Sequence, residues 1–205
     1  MQWIIWLVIS TFINTFIIIS IVDIILLGNF KVMFSKKSKK SSFMITKENR
    51  IDTQTGNSCS GYSIAYILRH YDISAYGNEI YSKLPNKMKN GYVYPKEVKR
   101  MLEKFGFNVK YCVGNLHSLR NEVSKGNPVI VFIKVRKDKN WLHYVPVVGY
   151  DEDNIFLAES LGELVNCNEN THNRKISNED FKILWNTSML KSPLYTYTFY
   201  SINRK

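Results

Sequence analysis

Three cysteines and four histidines are all that 205 residues provide. Three cysteines cannot close a disulfide framework, so Cys112 and Cys167 are expected as reduced, structural thiols. No zinc-ligand spacing is present, and no metal or cofactor is expected. Acidic residues are also scarce, 17 against 28 Lys and Arg, for a formal charge of +11. Such an excess invites a nucleic-acid reading, but no zinc, helix-turn-helix or RNA-binding signature accompanies it. Much of it lies in one run, Ser35-Lys36-Lys37-Ser38-Lys39-Lys40-Ser41-Ser42, so no nucleic-acid partner is expected. From about Met44 onward there is no self-similar period, which excludes a repeat array.

What is abundant is apolar sequence at the amino terminus. Trp3 to Leu27 is apolar except for Ser10, Thr11, Asn14, Thr15, Ser20 and Asp23, long enough for a helix to cross a hydrocarbon core about 30 Å thick. A cleaved signal peptide would start with a basic region and end at a small-residue site, and neither Met1-Gln2-Trp3 nor the apolar run after it provides one. The expectation is an uncleaved transmembrane anchor over 1–28. Trp3 and Trp6 suit one interface, and Asp23 lies towards the other. Lys31, Lys36, Lys37, Lys39 and Lys40 come after the span, so the positive-inside rule puts the remaining chain in the cytoplasm, with export to the other side as the alternative. Residues 29–46 then read as a flexible basic linker that attracts anionic headgroups of the lipid bilayer.

Residues 47–205 read as one α+β domain. A helix from Cys59 to about Tyr71 is followed by a second near 78–84. Pro95 opens a third, Lys96 to Phe105, with Val98, Met101, Leu102 and Phe105 on one face and Gly106 ending it. Strand Phe107 to Cys112 and an amphipathic helix from Leu116 to Lys125 precede the apolar run Val129-Ile130-Val131-Phe132-Ile133, which reads as a buried central strand. Tyr144 to Tyr150 and Ile155 to Glu159 flank the acidic turn Asp151 to Asn154 as a hairpin, with a ladder fault expected at Pro146. The stretch Asn166 to Lys175 reads as a polar loop. Ser177 caps a helix containing Phe181, and Tyr195 to Ile202 is a last strand.

The chemistry-bearing stretch is Gln54-Thr55-Gly56-Asn57-Ser58-Cys59-Ser60-Gly61. A polar loop turns into an apolar helix, placing Cys59 in a first turn where unpaired amides and the helix dipole stabilise a thiolate. Gln54 is placed to direct an amide at a developing oxyanion. A nucleophilic cysteine also needs a base. His70 is eleven residues along the same helix, about 16 Å away, and reads as a helix-surface residue. His117 and His172 lie in polar surroundings. His143 stands where the polar stretch Arg136 to Asn140 meets an apolar strand. If Val145 pairs with Glu159, His143 and Glu159 are diagonal neighbours on one face, and the carboxylate reaches the ring. A cysteine packed as a small hydrophobe and a buried structural histidine are the alternatives.

These stretches, with Gly126-Asn127-Pro128-Val129-Ile130-Val131 and His143-Tyr144-Val145-Pro146-Val147-Val148-Gly149-Tyr150-Asp151, resemble the family thirty-nine cysteine peptidases. That papain-fold group includes bacteriocin-processing, double-glycine peptidases. The resemblance implies a papain-like fold in which Cys59 is the nucleophile, His143 the general base and Gln54 the oxyanion donor. Glu159 takes the place of the family's aspartate. This chain departs from the family in having Ala158-Glu159-Ser160 rather than an aspartate before proline, and Ser58-Cys59-Ser60 rather than Asp-Cys-Gly. Its Gln54 is also one residue closer to the cysteine than is usual. The expected function is a stand-alone, membrane-tethered thiol peptidase acting on a peptide or protein. The rival is a catalytically silent peptide-binding or immunity-type module with the same cleft.

Overall fold

The computed structural model describes residues 2–27, 30–189 and 194–204. Helix α1 (Gln2–Leu27) is exposed over most of Gln2–Val22. Its stretch Gln2–Val22 has a mean hydropathy of 2.3 and is long and apolar enough to cross a membrane. The expected end of the span at Gly28 and the side chain of Asp23 fall outside the described residues.

The rest is a mixed α+β body. Strands β1 (Lys31–Met33) and β2 (Phe43–Met44) precede helices α2 (Cys59–His70), α3 (Gly77–Lys83) and α4 (Pro95–Lys104). Strand β3 (Phe107–Gly114) and helix α5 (Leu116–Val123) lead to strands β4 (Val129–Arg136), β5 (Lys139–Tyr150) and β6 (Asn154–Leu157). After a single 3-10 turn (Gly162–Leu164) come β7 (Arg174–Ser177), α6 (Asn178–Trp185) and β8 (Thr198–Arg204). The strands form one sheet in the order β1-β3-β8-β4-β5-β6-β7, with β2 paired to the far end of β5.

Period-two alternation divides the core. Ile130, Tyr144 and Tyr200 join Ile64, Ile67, Leu68, Val98 and Leu102 of α2 and α4 in one cluster. Val129, Val131, Val145, Val147 and Phe199 join Leu119, Phe181 and Trp185 of α5 and α6 in another. The run 129–133 is therefore central because both of its faces are covered. Helices α2 and α3 cross so closely that a Cβ on Gly61 would collide with the Gly77 carbonyl oxygen and one on Gly77 with the Tyr62 ring, so neither glycine tolerates a side chain.

Several expectations are corrected. The segment 29–46 is not a free linker. β1 pairs parallel with β3, and residues 35–40 are tied down by Asn115, His117, Asn121 and Tyr150. Those ties run between polar side chains and backbone groups, which leave no mark in a hydropathy pattern. The polar stretch 136–140 is a tight turn within a continuous β4–β5 hairpin, so His143 lies inside a strand rather than at its rim. The polar loop 166–175 ends in strand β7. His70 is buried, with 9% exposure, and Phe105 is 38% exposed because the helix ends before it. The β6 ladder stops at Val147–Leu157, so Val145 and Glu159 do not pair. Its fault lies between Val147 and Gly149, next to Pro146.

Candidate active site

Cys59 is the first residue of α2. The loop before it is held by the Ser58 hydroxyl, which donates to the Thr55 carbonyl at 2.5 Å, and the Ser58 carbonyl accepts from the Gly61 amide at 2.9 Å. The amides of Cys59 and Ser60 have no helical carbonyl one turn back, so unpaired amides and the positive end of the helix dipole lie at the residue that carries the sulfur. One turn further on, Ser63 donates to the Tyr144 carbonyl at 2.9 Å, fully buried. This bond fixes the register of α2 on β5 beside His143.

His143 is 1% exposed and opposite Ile133 in the ladder. Its Nε2 lies 2.7 Å from Glu159 Oε1. Cys59 also acts on the ring electrostatically, and with Nε2 engaged by Glu159 the nitrogen left for it is Nδ1. Burial alone would lower the imidazole's pKa. The Glu159 carboxylate and the neighbouring Cys59 sulfur outweigh it and hold the pKa above the ordinary value.

Glu159 lies two residues past β6, in no regular element, yet every part of it is held. Asn173 grips its backbone from both sides, accepting from the Glu159 amide at 2.7 Å and donating to its carbonyl at 2.8 Å. Oε1 accepts from the Leu161 amide as well as from His143, and Oε2 accepts from Arg174 Nη1 at 2.8 Å. Burial would raise its pKa, but the charge and hydrogen bond of His143, the Arg174 guanidinium and the Leu161 amide hold it well below the usual carboxylate range.

Gln54 is half-buried and does not aim its amide at the sulfur, as the sequence suggests it would. Its Nε2 donates to the Gly56 carbonyl at 2.6 Å, while Oε1 accepts from the Ser160 hydroxyl at 2.7 Å. Its backbone amide donates to the Ser160 carbonyl at 2.8 Å. Gln54 thus joins the loop before Cys59 to the residue after Glu159. One of its two amide protons is left beyond the Gly56 bond.

Ser63, Ser160, Asn173 and Arg174 carry no signal in the sequence that singles them out. Nor do Tyr81 and Tyr92. Their phenols are shifted upward by burial and then by the charge of Cys59, whose field reaches both rings. His117 bonds Ser38, and His172 packs on Phe156, both away from this row. All three cysteines carry free thiols.

Residues 43–189 match the Peptidase_C39-like family. The chain belongs to that family. Its fold is shared by the peptidase domain of Streptococcus ComA, a bi-functional ABC transporter involved in a quorum-sensing pathway. The two are 15% identical with a TM-score of 0.56 over 77% of this chain and 99% of that one. A C39-like peptidase from Bacillus anthracis superposes with a TM-score of 0.59 at 13% identity, covering 81% and 99%. Xylellain, a cysteine protease from Xylella fastidiosa, gives 0.55 at 13% identity over 84% and 91%. No curated protein sequence matches the chain. The fold is therefore the papain-like one of C39 cysteine peptidases.

Proposed function

We propose that this protein is a thiol peptidase held at a membrane by α1, with Cys59 as nucleophile, His143 as base and Glu159 as the acid that orients it. The observation that carries the reading is the buried pair in which His143 Nε2 bonds Glu159 at 2.7 Å, with the Cys59 sulfur at the start of α2 acting on the same ring. An ionised carboxylate can only accept a hydrogen bond, here from Nε2–H, which leaves Nδ1 to take the thiol proton. The Cys59 sulfur then attacks the peptide carbonyl carbon, and the His143 imidazolium returns the proton to the leaving amine as the C–N bond breaks. Water, deprotonated by the same ring, hydrolyses the thioester. The helix-start amides, with the remaining Gln54 amide proton, supply the oxyanion donors.

The full chain, solubilised in detergent, should cleave members of a peptide library, and Cys59→Ala should not. An unmodified Cys59 after treatment with iodoacetamide near neutral pH, with no peptide cleaved, would instead favour a silent binding module. The lysines after α1 support a cytoplasmic domain lying against anionic lipid. Protease added to intact cells should spare the domain and destroy it after lysis. Digestion in intact cells would reverse that orientation.

A further inference from the structure

We propose that Arg174 is a positioning residue of the site, a buried cation that fixes the outer oxygen of Glu159 and balances its charge so that the Cys59–His143 pair ionises. This inference rests on the roles proposed for Cys59 and His143. Glu159 has three side-chain torsions and sits outside any strand, so beyond the Leu161 amide on its inner oxygen, a second tie on the outer one is what fixes the plane of the carboxylate against His143. Arg174 pins it at 2.8 Å. The two side chains are 8% and 0% exposed, so water screens the pair little. Arg174 is next to Asn173, which holds the Glu159 backbone, so the start of β7 clamps the whole residue.

Charge gives the arrangement a second function. In the ionised site the row reads Arg174 positive, Glu159 negative, His143 positive and Cys59 negative, alternating and neutral in sum. The groups facing it are Glu159 past β6, His143 and Tyr144 of β5, Cys59 of α2, Tyr81 of α3 and Tyr92 before α4. To these Arg174 adds a guanidinium cation at the outer end of the row. Deleting it leaves a net negative row, and a lost positive charge makes every member of the row hold its proton more tightly. A change that only loosened the loop would lower rates at all pH values without moving the limb.

The test is the rate of Cys59 carboxamidomethylation by iodoacetamide against pH, read by mass spectrometry of the Cys59 peptide in the full chain. Wild type should show an acid limb that moves up towards the ordinary thiol range of about 8.5 in His143→Ala. Arg174→Met should move that limb up by about one pH unit, an approximately tenfold slower reaction at a pH below it. Arg174→Lys, which keeps the charge, should leave the limb in place while slowing the plateau. If Arg174→Met leaves the limb unmoved, Arg174 does not have this role. Should the Met variant fail to fold, the Lys variant decides, because a limb displaced in Arg174→Lys overturns the charge argument. A wild-type limb indifferent to His143→Ala would overturn the Cys59–His143 reading itself, and this proposal with it.

Discussion

The two halves of the site are held in opposite ways. Cys59 and His143 ride on α2 and β5, elements whose own apolar faces are buried in the core, with one hydrogen bond from Ser63 setting their register. Glu159 and Gln54 lie in loops and are positioned by polar ties to Ser160, Asn173 and Arg174. Packing is distributed over many contacts, so one lost methylene costs little precision there. A polar tie is a single geometry, and losing it frees the residue outright.

The sharpest way to break this comparison is at the packed half. Cys59→Ala and His143→Ala should each reduce turnover about 10³-fold or more, since coupled members of such a site fail together. Circular dichroism and thermal melting should show folded proteins, because α2 and β5 keep their apolar contacts. A folded, active Cys59→Ala enzyme would end the thiol mechanism.

At the tied half the effects should be smaller and graded. Glu159→Gln should slow turnover about 10- to 100-fold without eliminating it, since an orienting acid contributes less than the groups that exchange the proton. Asn173→Ala, which leaves the carboxylate intact and frees only its backbone, should cost less, about fivefold to tenfold in kcat with KM little changed. Unchanged kinetics in Glu159→Gln would remove that residue from the site.

The same division explains what is legible in the sequence. The Cys59 helix, the 129–133 strand and the 144–150 arm are readable because apolar periodicity reports burial. Glu159 is reached by counting outward from the acidic turn, although the ladder stops two residues short of it. Asn173 and Arg174 are not readable. β7 has the sequence Arg-Lys-Ile-Ser, and its buried inward positions are Arg174 and Ile176, so its alternation carries a charge where a hydrophobe signals a strand. The ordering of residues 35–40 is hidden for a similar reason, because lysines and serines read as solvated while their backbones bond to α5.

Ser63→Ala tests the polar tie that joins α2 to β5. It removes the bond to the buried Tyr144 carbonyl and should cost about 1–3 kcal/mol of stability, the usual penalty for an unsatisfied buried acceptor. Activity should fall only severalfold, because the apolar contacts of α2 still hold Cys59 near its register. A larger loss of activity than in Asn173→Ala would mean that packing does not position the nucleophile, and the comparison would fail.

The smallest effect expected is on the pH dependence of stability. Glu159 has a depressed folded pKa, so its contribution is present above its ordinary value of 4.5 and is lost as pH falls through the folded value. His143 has a raised folded pKa, so its contribution is full below its ordinary value of 6.5 and is lost as pH rises towards the folded one. The pair therefore stabilises most between those two ordinary values and less on either side. In Glu159→Gln the imidazole keeps its burial but loses the carboxylate that raised it, so the buried ring resists protonation and the variant loses stability as pH falls through the histidine range. Thermal melts of wild type and Glu159→Gln should thus differ most near pH 5.5, with the gap narrowing towards about pH 3 and towards about pH 9. A gap that stayed constant across that range would mean that Glu159 stabilises by packing and hydrogen bonding alone, with no ionised partner in His143.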